Sequence, residues 1–438
     1  MKNIDKIFKS YDIRGISGKE VTEELAYAVA NAFAQEQELK KCVVSRDVRE
    51  NSPALAKEAI RGLQDAGCEV INAGITSTSQ LKWIVAEKQL PAGMMITASH
   101  NPKEYNGFKF YLKEAQPYAQ ADGMHELKKY LDKPKTGGKK PVHEHDYTQE
   151  YINNIMKTLP SSQREVFLDP SGAAACKEVK TLAESGDYNF VLYNAEEDPT
   201  FSEHEPNPLE PNATQAARDY CAMNNCIGCV LDADADRLIL IDEKGQTVSA
   251  DFLLALLAKQ LPEKSGVCAT LNCSWAVKDT CKQKKHTFKR IAVGSANVQR
   301  AMKDYDLELG GEKSGHIMFK HTHGVEAPLL CLLEVMKNYD NLSEALQTLR
   351  DTYRGSEEKN YSVDNREAVI EKAKEYFAQE GEMDFLDGVY VQTNDWWVCI
   401  RPSNTEELIR FTWEAQDQEQ YQKIKEQVEA FIEPFIQE

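Results

Sequence analysis

Residues 41–71 read KCVVSRDVRENSPALAKEAIRGLQDAGCEVI, and this stretch decides the fold. Residues 41–45, with Cys42, Val43 and Val44 at their centre, read as a short buried strand. Ser52-Pro53 then reads as a helix start, with the serine at the N-cap and the proline at the first helical position. Leu55, Ala56, Ala59, Ile60 and Leu63 follow at helical spacing, Gly67 ends the helix, and residues 68–71 open a second strand. A strand–helix–strand unit joins parallel neighbours, because parallel pairing needs a crossover, so the fold class is α/β.

The pattern repeats outward from this stretch. Residues 165–168 run into Asp169-Pro170-Ser171-Gly172, residues 227–231 run into a group of aspartates, and residues 267–271 precede a polar loop. Polar chemistry beyond the carboxyl end of a strand is where open α/β sheets bind ligands. Such units predict three α/β domains. After residue 355 the order changes to a helix (366–379), strands (389–393, 396–400), a polar loop, a strand (408–413) and a last helix (418–435), which reads as a smaller α+β domain. Residues 133–141 and 355–359 read as linkers, and residues 198–212, with four prolines, as extended chain.

A chain of 438 residues exceeds what one core supports and implies several domains. The net charge of -18 argues against a nucleic-acid partner, which would need lysine and arginine in excess. It leaves room for small phosphorylated ligands, which local arginines decide. Residues 1–15 have no apolar core of a signal peptide, and the apolar run 252–258 is far too short to span a bilayer. A cytoplasmic protein with no membrane partner is expected. The 11 cysteines are odd in number and scattered, which does not suit a disulfide framework. Cys226 and Cys229 have CxxC spacing, but they lie in an apolar run with no second pair, so they read as core-filling thiols and not as zinc or redox groups.

Four segments carry the chemistry. In Thr97-Ala98-Ser99-His100-Asn101-Pro102, followed by Asn106-Gly107-Phe108-Lys109, a serine stands beside a histidine. A serine hydroxyl takes part in group transfer when a base activates it or when it already carries the group, and a phosphate on Ser99 meets the second condition. Asp232, Asp234 and Asp236 alternate and would share one face of a fully extended strand, where three carboxylates require a cation. Oxygen-only ligands suit Mg²⁺ or Ca²⁺. An EF-hand loop would place Glu243 at its twelfth position, but its sixth is Arg237, not glycine, and the flanks read as strands. A Mg²⁺ site open to a phosphate is the better reading, with a solvated acidic turn as the plain alternative. Gly310-Gly311-Glu312-Lys313-Ser314-Gly315-His316 offers groups for sugar hydroxyls, or is an ordinary glycine-rich turn. Arg401-Pro402-Ser403-Asn404-Thr405, with Arg410 beyond, is a phosphate cradle or a polar hairpin loop. Near the start, Tyr11-Asp12-Ile13-Arg14-Gly15 offers Arg14 to a phosphate, and Asp47 and Arg49 read as a structural ion pair.

Taken together and in this order, with Pro206-Asn207-Pro208 between, these segments resemble the α-D-phosphohexomutase family, most of all its phosphomannomutase and phosphoglucomutase branch. The resemblance implies a heart-shaped molecule of four domains around a central cleft: three related α/β domains with mixed sheets (1–143, 144–245, 246–352) and a smaller C-terminal α+β domain (353–438). It implies a phosphoserine at Ser99, with Mg²⁺ bound by that phosphate and by Asp232, Asp234 and Asp236. Arg237, Tyr11 and His316 would face substrate, Glu312 and Ser314 would bind sugar hydroxyls, and Arg401, Ser403, Asn404, Thr405 and Arg410 would hold the phosphate that stays. The expected reaction moves phosphate between O6 and O1 of a hexose, mannose phosphates first and glucose phosphates next, through a hexose 1,6-bisphosphate that also serves as activator. Arg14 and Lys109 would stabilise the moving group. Lys109, His100 and His316, in that order, are the acid/base candidates, a lysine needing a depressed pKa for the task. Small hexose phosphates are the expected partners of a monomer or homodimer.

Two departures stand out. Many relatives carry a lysine where this chain has Ala292, leaving Lys289 or Arg290 as substitutes, and many carry an aspartate where it has His323-Gly324-Val325-Glu326. A phosphoglucosamine mutase would also suit residues 310–316, although residues 11–15 and Asn404 point away from it. A non-catalytic phosphosugar-binding protein would be favoured by loss of Ser99 or an aspartate, and none is lost. An aspartyl-phosphate phosphatase would make no use of Ser99 or of the Arg401 loop.

Overall fold

The computed structural model describes residues 4–157, 162–185, 188–403 and 408–436. Asn404 and Thr405 of the expected phosphate cradle lie outside the described residues. The chain divides into two compact units, Met1–Ser249 with Gly315–Leu342, and Ala250–Ser314 with Ser343–Glu438.

The first unit holds two mixed sheets. One runs in the order Ile13–Ile16, Tyr105–Leu112, Ala92–Ile96, Lys41–Arg46, Glu69–Ile75, Val142–Glu144. Tyr105–Leu112 is antiparallel to both its neighbours, and the remaining pairs are parallel. The helices Glu23–Glu36 and Ser52–Asp65 bury Val29, Phe33, Ala59 and Leu63 against Phe108 and Phe110 of the sheet. Their crossing is close: a Cβ on Gly62 would lie 2.3 Å from the carbonyl oxygen of Tyr27. The helix start differs in detail from the expectation. Asn51 is the N-cap and makes no side-chain cap bond, its amide donating instead to Ser17 Oγ, while the hydroxyl of Ser52 donates to Asp47 Oδ1. Gly67, at φ +92°, follows the helix as expected.

The second sheet runs Thr247–Val248, Leu238–Ile241, Ile227–Leu231, Ser162–Asp169, Tyr188–Leu192. Ile227–Leu231 is parallel to Ser162–Asp169 and antiparallel to Leu238–Ile241, with Leu231 opposite Leu238. Residues 232–237 are therefore a hairpin loop, not an extended strand. Every residue of Ile227–Leu231 is buried, which accounts for Cys229, and all eleven cysteines are free and buried.

The second unit has three parallel strands, Thr287–Ile291, Gly266–Thr270 and Leu309–Gly311, with the helices Ala250–Gln260, Trp275–Gln283 and Ser295–Asp304. Its C-terminal part is an antiparallel sheet, Arg354–Gly355, Leu408–Ala415, Trp396–Pro402, Val389–Gln392, Glu382–Asp384, with Lys359–Ser362 also paired to Leu408–Ala415. The helices Arg366–Phe377 and Gln418–Ile432 cover it, burying Val369, Phe377, Phe411 and Val428. Among the described residues no helix is long and apolar enough to cross a membrane.

Candidate active site

Ser99 follows the carboxyl end of Ala92–Ile96, in the middle of the first sheet. It is 2% exposed, and its φ of +52° lies in the left-handed region. A non-glycine residue there carries about 1–3 kcal/mol of strain, which the surroundings must support. Its backbone N–H donates to Thr97 Oγ1 at 2.9 Å, and its Oγ lies 3.2 Å from His100 Nδ1 and 3.4 Å from Asp232 Oδ2.

The aspartates converge through the hairpin loop, with Ala235 at φ +47°. Asp232 Oδ1 accepts from the N–H groups of Asp236 (3.1 Å) and Arg237 (3.2 Å), which closes the turn and leaves Oδ2 towards Ser99. Asp234 Oδ2 accepts from Thr78 Oγ1 at 2.5 Å and Lys109 Nζ at 2.6 Å, and Asp236 Oδ2 accepts from Lys109 Nζ at 2.7 Å. The first turn of the helix Thr78–Glu87 seats this loop: Thr78 N–H donates to Asp234 O (2.7 Å) and Ser79 Oγ to Ala235 O (2.8 Å). The three carboxylates offer ligand atoms within 4.8 Å of one another, and Asp234 Oδ1 is buried with no hydrogen-bond partner among the described residues. A hard-oxygen set with an orphaned carboxylate oxygen fits Mg²⁺.

Cationic groups surround the loop. Arg14, opposite Gly107 on the edge strand, pairs with Asp12 and with the Asn101 side chain, and its Nε is buried without a partner among the described residues. Burial opposes the charge of Arg14, but Asp12, Asp234 and Asp236 outweigh it and hold the guanidinium firmly protonated. Burial likewise opposes the charge of Lys109, and Asp234 and Asp236 again prevail, so its pKa lies well above the ordinary value. His100 is pushed the other way, first by Arg237, then by burial and by Arg14. Burial, with Asp236 and Asp234 beside it, raises the Asp232 carboxyl well above its ordinary range. Asp236 is held low against its burial by Lys109, His316 and Arg237. His316 Nε2 lies 3.2 Å from Asp236 Oδ1 and 3.4 Å from Arg237 Nε, and Tyr11 is half-buried. A neutral imidazole beside Ser99 Oγ can take or return a proton, whereas a lysine held charged stabilises negative charge. Lys109 thus shows no depressed pKa of the kind a lysine acid/base would need.

Several supporting groups gave no local signal in the sequence. Glu178 Oε1 accepts the Ser77 N–H at 2.7 Å, just where the helix Thr78–Glu87 starts. Lys82 of that helix forms a buried ion pair with Glu326. Residues 323–326 contact the same helix: His323 Nε2 lies 2.9 Å from Glu87 Oε2, and Glu326 pairs with Lys82. Asp47 and Arg49 form a fully buried ion pair at 3.0 Å, as read.

In the second unit, Glu312 Oε1 accepts the Gly294 N–H at 2.7 Å and Asp387 Oδ2 accepts the Val293 N–H at 3.0 Å. Lys313 Nζ lies 3.2 Å from Asp251, and Ser314 is half-buried. Arg401 and Arg410 share one carboxylate: Arg401 Nη2 donates to Glu358 Oε2 at 2.9 Å and Arg410 Nη1 to Oε1 at 2.5 Å. Both guanidiniums together overcome the burial of Glu358 and hold its pKa low. Glu358 belongs to a segment read as a plain linker, and this pairing makes it part of the arginine cluster. Ser403 is buried, and its carbonyl accepts from Arg366. Lys289 Nζ stands 4.5 Å from the Tyr305 ring centroid and the Arg290 guanidinium 4.2 Å from that of Tyr390, so both cations near Ala292 rest on aromatic faces.

Four family models match the chain in order. They are described as phosphoglucomutase/phosphomannomutase alpha/beta/alpha domain I (residues 5–137), domain II (145–245) and domain III (249–353), and the C-terminal domain (358–431). The chain is 33% identical to the phosphomannomutase of Methanocaldococcus jannaschii, over 97% of each protein. It is 30% identical, over the full length of both, to a protein of Methanosphaera stadtmanae named probable phosphoglucosamine mutase. A crystal structure of a phosphoglucomutase/phosphomannomutase family protein from Burkholderia thailandensis shares the fold, with a TM-score of 0.90 at 23% identity, covering 98% of this chain and 97% of that one. Four consecutive domain models and one-third identity along nearly the whole length show that the chain belongs to the phosphoglucomutase/phosphomannomutase family and is a phosphohexomutase.

Proposed function

We propose that the protein moves phosphate between O6 and O1 of a hexose, with mannose phosphates as preferred substrates, through a phosphorylated Ser99 and a hexose 1,6-bisphosphate. The observation that carries this reading is the placement of Ser99 Oγ, 3.4 Å from Asp232 in a buried carboxylate loop that still has an oxygen without a partner among the described residues. In the first half-reaction a sugar hydroxyl attacks the phosphorus. The bond to Ser99 Oγ breaks, and the hydroxyl proton passes to a base, for which neutral His100 is best placed. After the bisphosphate turns around, Ser99 Oγ attacks the other phosphorus, the bond from that phosphorus to the sugar oxygen breaks, and the base returns its proton to that oxygen. Positioning and neutralisation of the equatorial oxygens dominate such a transfer. Arg14, Lys109 and Arg237 supply positive charge at that point, and the buried Nε of Arg14 is a donor in waiting. Asp232, Asp234 and Asp236, with the Ser99 phosphate, would hold Mg²⁺, which supplies Lewis-acid polarisation of the phosphoryl oxygens.

In the same reading Tyr11 and His316 face substrate, Glu312 and Ser314 take sugar hydroxyls, and Arg401, Arg410 and Ser403, joined by Asn404 and Thr405, hold the phosphate that is not transferred. The domain boundaries 1–143, 144–245, 246–352 and 353–438 belong to this proposal, as does a reducing, cytoplasmic setting, which suits the eleven free thiols. Glucose phosphates come next, and a phosphoglucosamine mutase is the alternative reading, since a 30% identical relative is named a probable phosphoglucosamine mutase. Intact mass of the purified protein is expected to show one phosphate, mapped to Ser99. Ser99→Ala is expected to remove both the phosphate and turnover with mannose 1-phosphate, glucose 1-phosphate and glucosamine 6-phosphate. Substantial turnover by that variant, with no neighbouring residue phosphorylated, would end the proposal.

A further inference from the structure

A guanidinium carries five N–H donors in one plane. In Arg49 all five are committed inside the protein, and the side chain is 1% exposed. Nε donates to Asp47 Oδ2 at 3.0 Å. Nη1 donates to the carbonyls of Pro102 (2.7 Å) and Tyr105 (3.0 Å), and Nη2 to those of Ser99 (2.6 Å) and Asn101 (2.6 Å). None is left for a substrate phosphate. Three of the carbonyls come from the irregular segment between Ala92–Ile96 and Tyr105–Leu112 and the fourth from Tyr105, the first residue of that strand; backbone carbonyls with no ladder partner need such donors. One of them belongs to Ser99 itself, whose left-handed backbone needs a frame.

The frame is closed on both sides. Asp47 Oδ1 accepts from Arg49 N–H (3.1 Å) and Ser52 Oγ (2.5 Å), Ser52 Oγ accepts from Asn106 Nδ2 (3.0 Å), and Asn106 Oδ1 accepts from Gly107 N–H (2.8 Å). This network ties the start of Ser52–Asp65 to the far end of the serine loop. The guanidinium also lies 5.3 Å from the ring centroid of Phe201. Phe201 packs in one apolar cluster with Val48, Ala173 and Ala233, and Ala233 stands between Asp232 and Asp234. A single buried cation thus grips the backbone of Ser99 and, through one ring, abuts the backbone that carries the aspartates.

We infer that Arg49 is a positioning residue that sets the register of Ser99 against the carboxylate loop, an inference that rests on the phosphoserine reading above. Lysine does not reproduce a planar fork of donors. The test compares the full-length protein with Arg49→Lys, Phe201→Leu and Ser99→Ala. Each is incubated with Mg²⁺ and glucose 1,6-bisphosphate. Phosphate on Ser99 is followed by intact mass, kcat and KM are measured with mannose 1-phosphate, and amide exchange is followed over residues 97–107. Arg49→Lys is expected to lower kcat and the rate of Ser99 phosphorylation about 100-fold, the cost of a displaced reacting atom, with KM within about threefold. Exchange over the serine loop is expected to quicken at least about tenfold. Phe201→Leu gives the same signature, smaller. A kcat within about threefold of wild type, or a loss that falls on KM with exchange unchanged, overturns the inference. If Arg49→Lys does not fold, Phe201→Leu decides on the same readouts. Wild type that takes no phosphate on Ser99 removes the mutase reading and this inference with it. Wild type that takes it, beside an unimpaired Arg49→Lys, removes the inference alone.

Discussion

Glu178 offers a perturbation with a definite sign. It sits in the helix Cys176–Glu184, is 2% exposed, and accepts the Ser77 N–H that precedes the helix seating Asp234. Burial raises its pKa from 4.5 to about 7, against the pull of the Ser77 hydrogen bonds. Between those two values the native protein keeps a proton that the unfolded chain has released. Stability therefore falls as pH rises through that window and stays low above it. A rise from 4.5 to about 7 corresponds to roughly 3 kcal/mol at about 1.4 kcal/mol per pH unit. Glu178→Gln keeps the shape and the acceptor for Ser77 and removes the ionisation. The assay is urea unfolding of both proteins at matched pH from about 5 to about 8, where the difference between the curves isolates one group from every other titration. The variant is expected to lose little stability at the acid end and to gain on wild type by up to about 3 kcal/mol at the alkaline end. Parallel pH profiles would show that Glu178 titrates alike in both states and would refute the reasoning.

Three further outcomes follow from named contacts. Arg401→Ala should raise KM for a hexose phosphate roughly 10–100-fold, for the loss of a charge-assisted pair of about 1.5–3 kcal/mol, with kcat little changed, and steady-state kinetics showing a loss confined to kcat would contradict it. Lys82→Met leaves the Glu326 carboxylate buried without its cation and should destabilise by about 3–5 kcal/mol, most of which Lys82→Met/Glu326→Leu restores; equal damage in both, measured by denaturation, would contradict the argument. Chelation should stop turnover and Mg²⁺ should restore it. Asp234→Asn should raise the Mg²⁺ needed for half-activity at least about tenfold, and calorimetric Mg²⁺ binding unchanged in that variant would remove Asp234 from the ligand set.

The strands around residues 41–46, 69–75 and 227–231 were legible because apolar runs bounded by turn residues are local signals. So was the smaller C-terminal domain, from its change of rhythm after residue 355. The cap at Ser52 was misread because its hydroxyl serves Asp47, a tertiary partner, and not its own helix. The alternating aspartates would share a face only on a fully extended strand. They converge instead through a hairpin loop with a left-handed Ala235, a bend that spacing alone does not reveal. The motifs pointed to Ser99, Lys109, Arg14 and the aspartates, and the structure brings these side chains together. Thr78, Glu178 and Glu358 gave no signal, because each acts on a partner about forty or more positions away, and a lone polar residue on a helix or linker looks like a surface one. Arg49 read correctly as half of an ion pair, yet its four carbonyl partners lie fifty or more positions downstream, out of reach of pattern reading.

The eleven buried thiols have a practical consequence. Burial raises the pKa of every one of them, so the native protein presents almost no thiolate to an alkylating reagent. They are spread from Cys42 to Cys399, so each part of the chain carries its own dormant tag. Brief exposure to iodoacetamide during gentle heating, read peptide by peptide, would report the order in which the regions open.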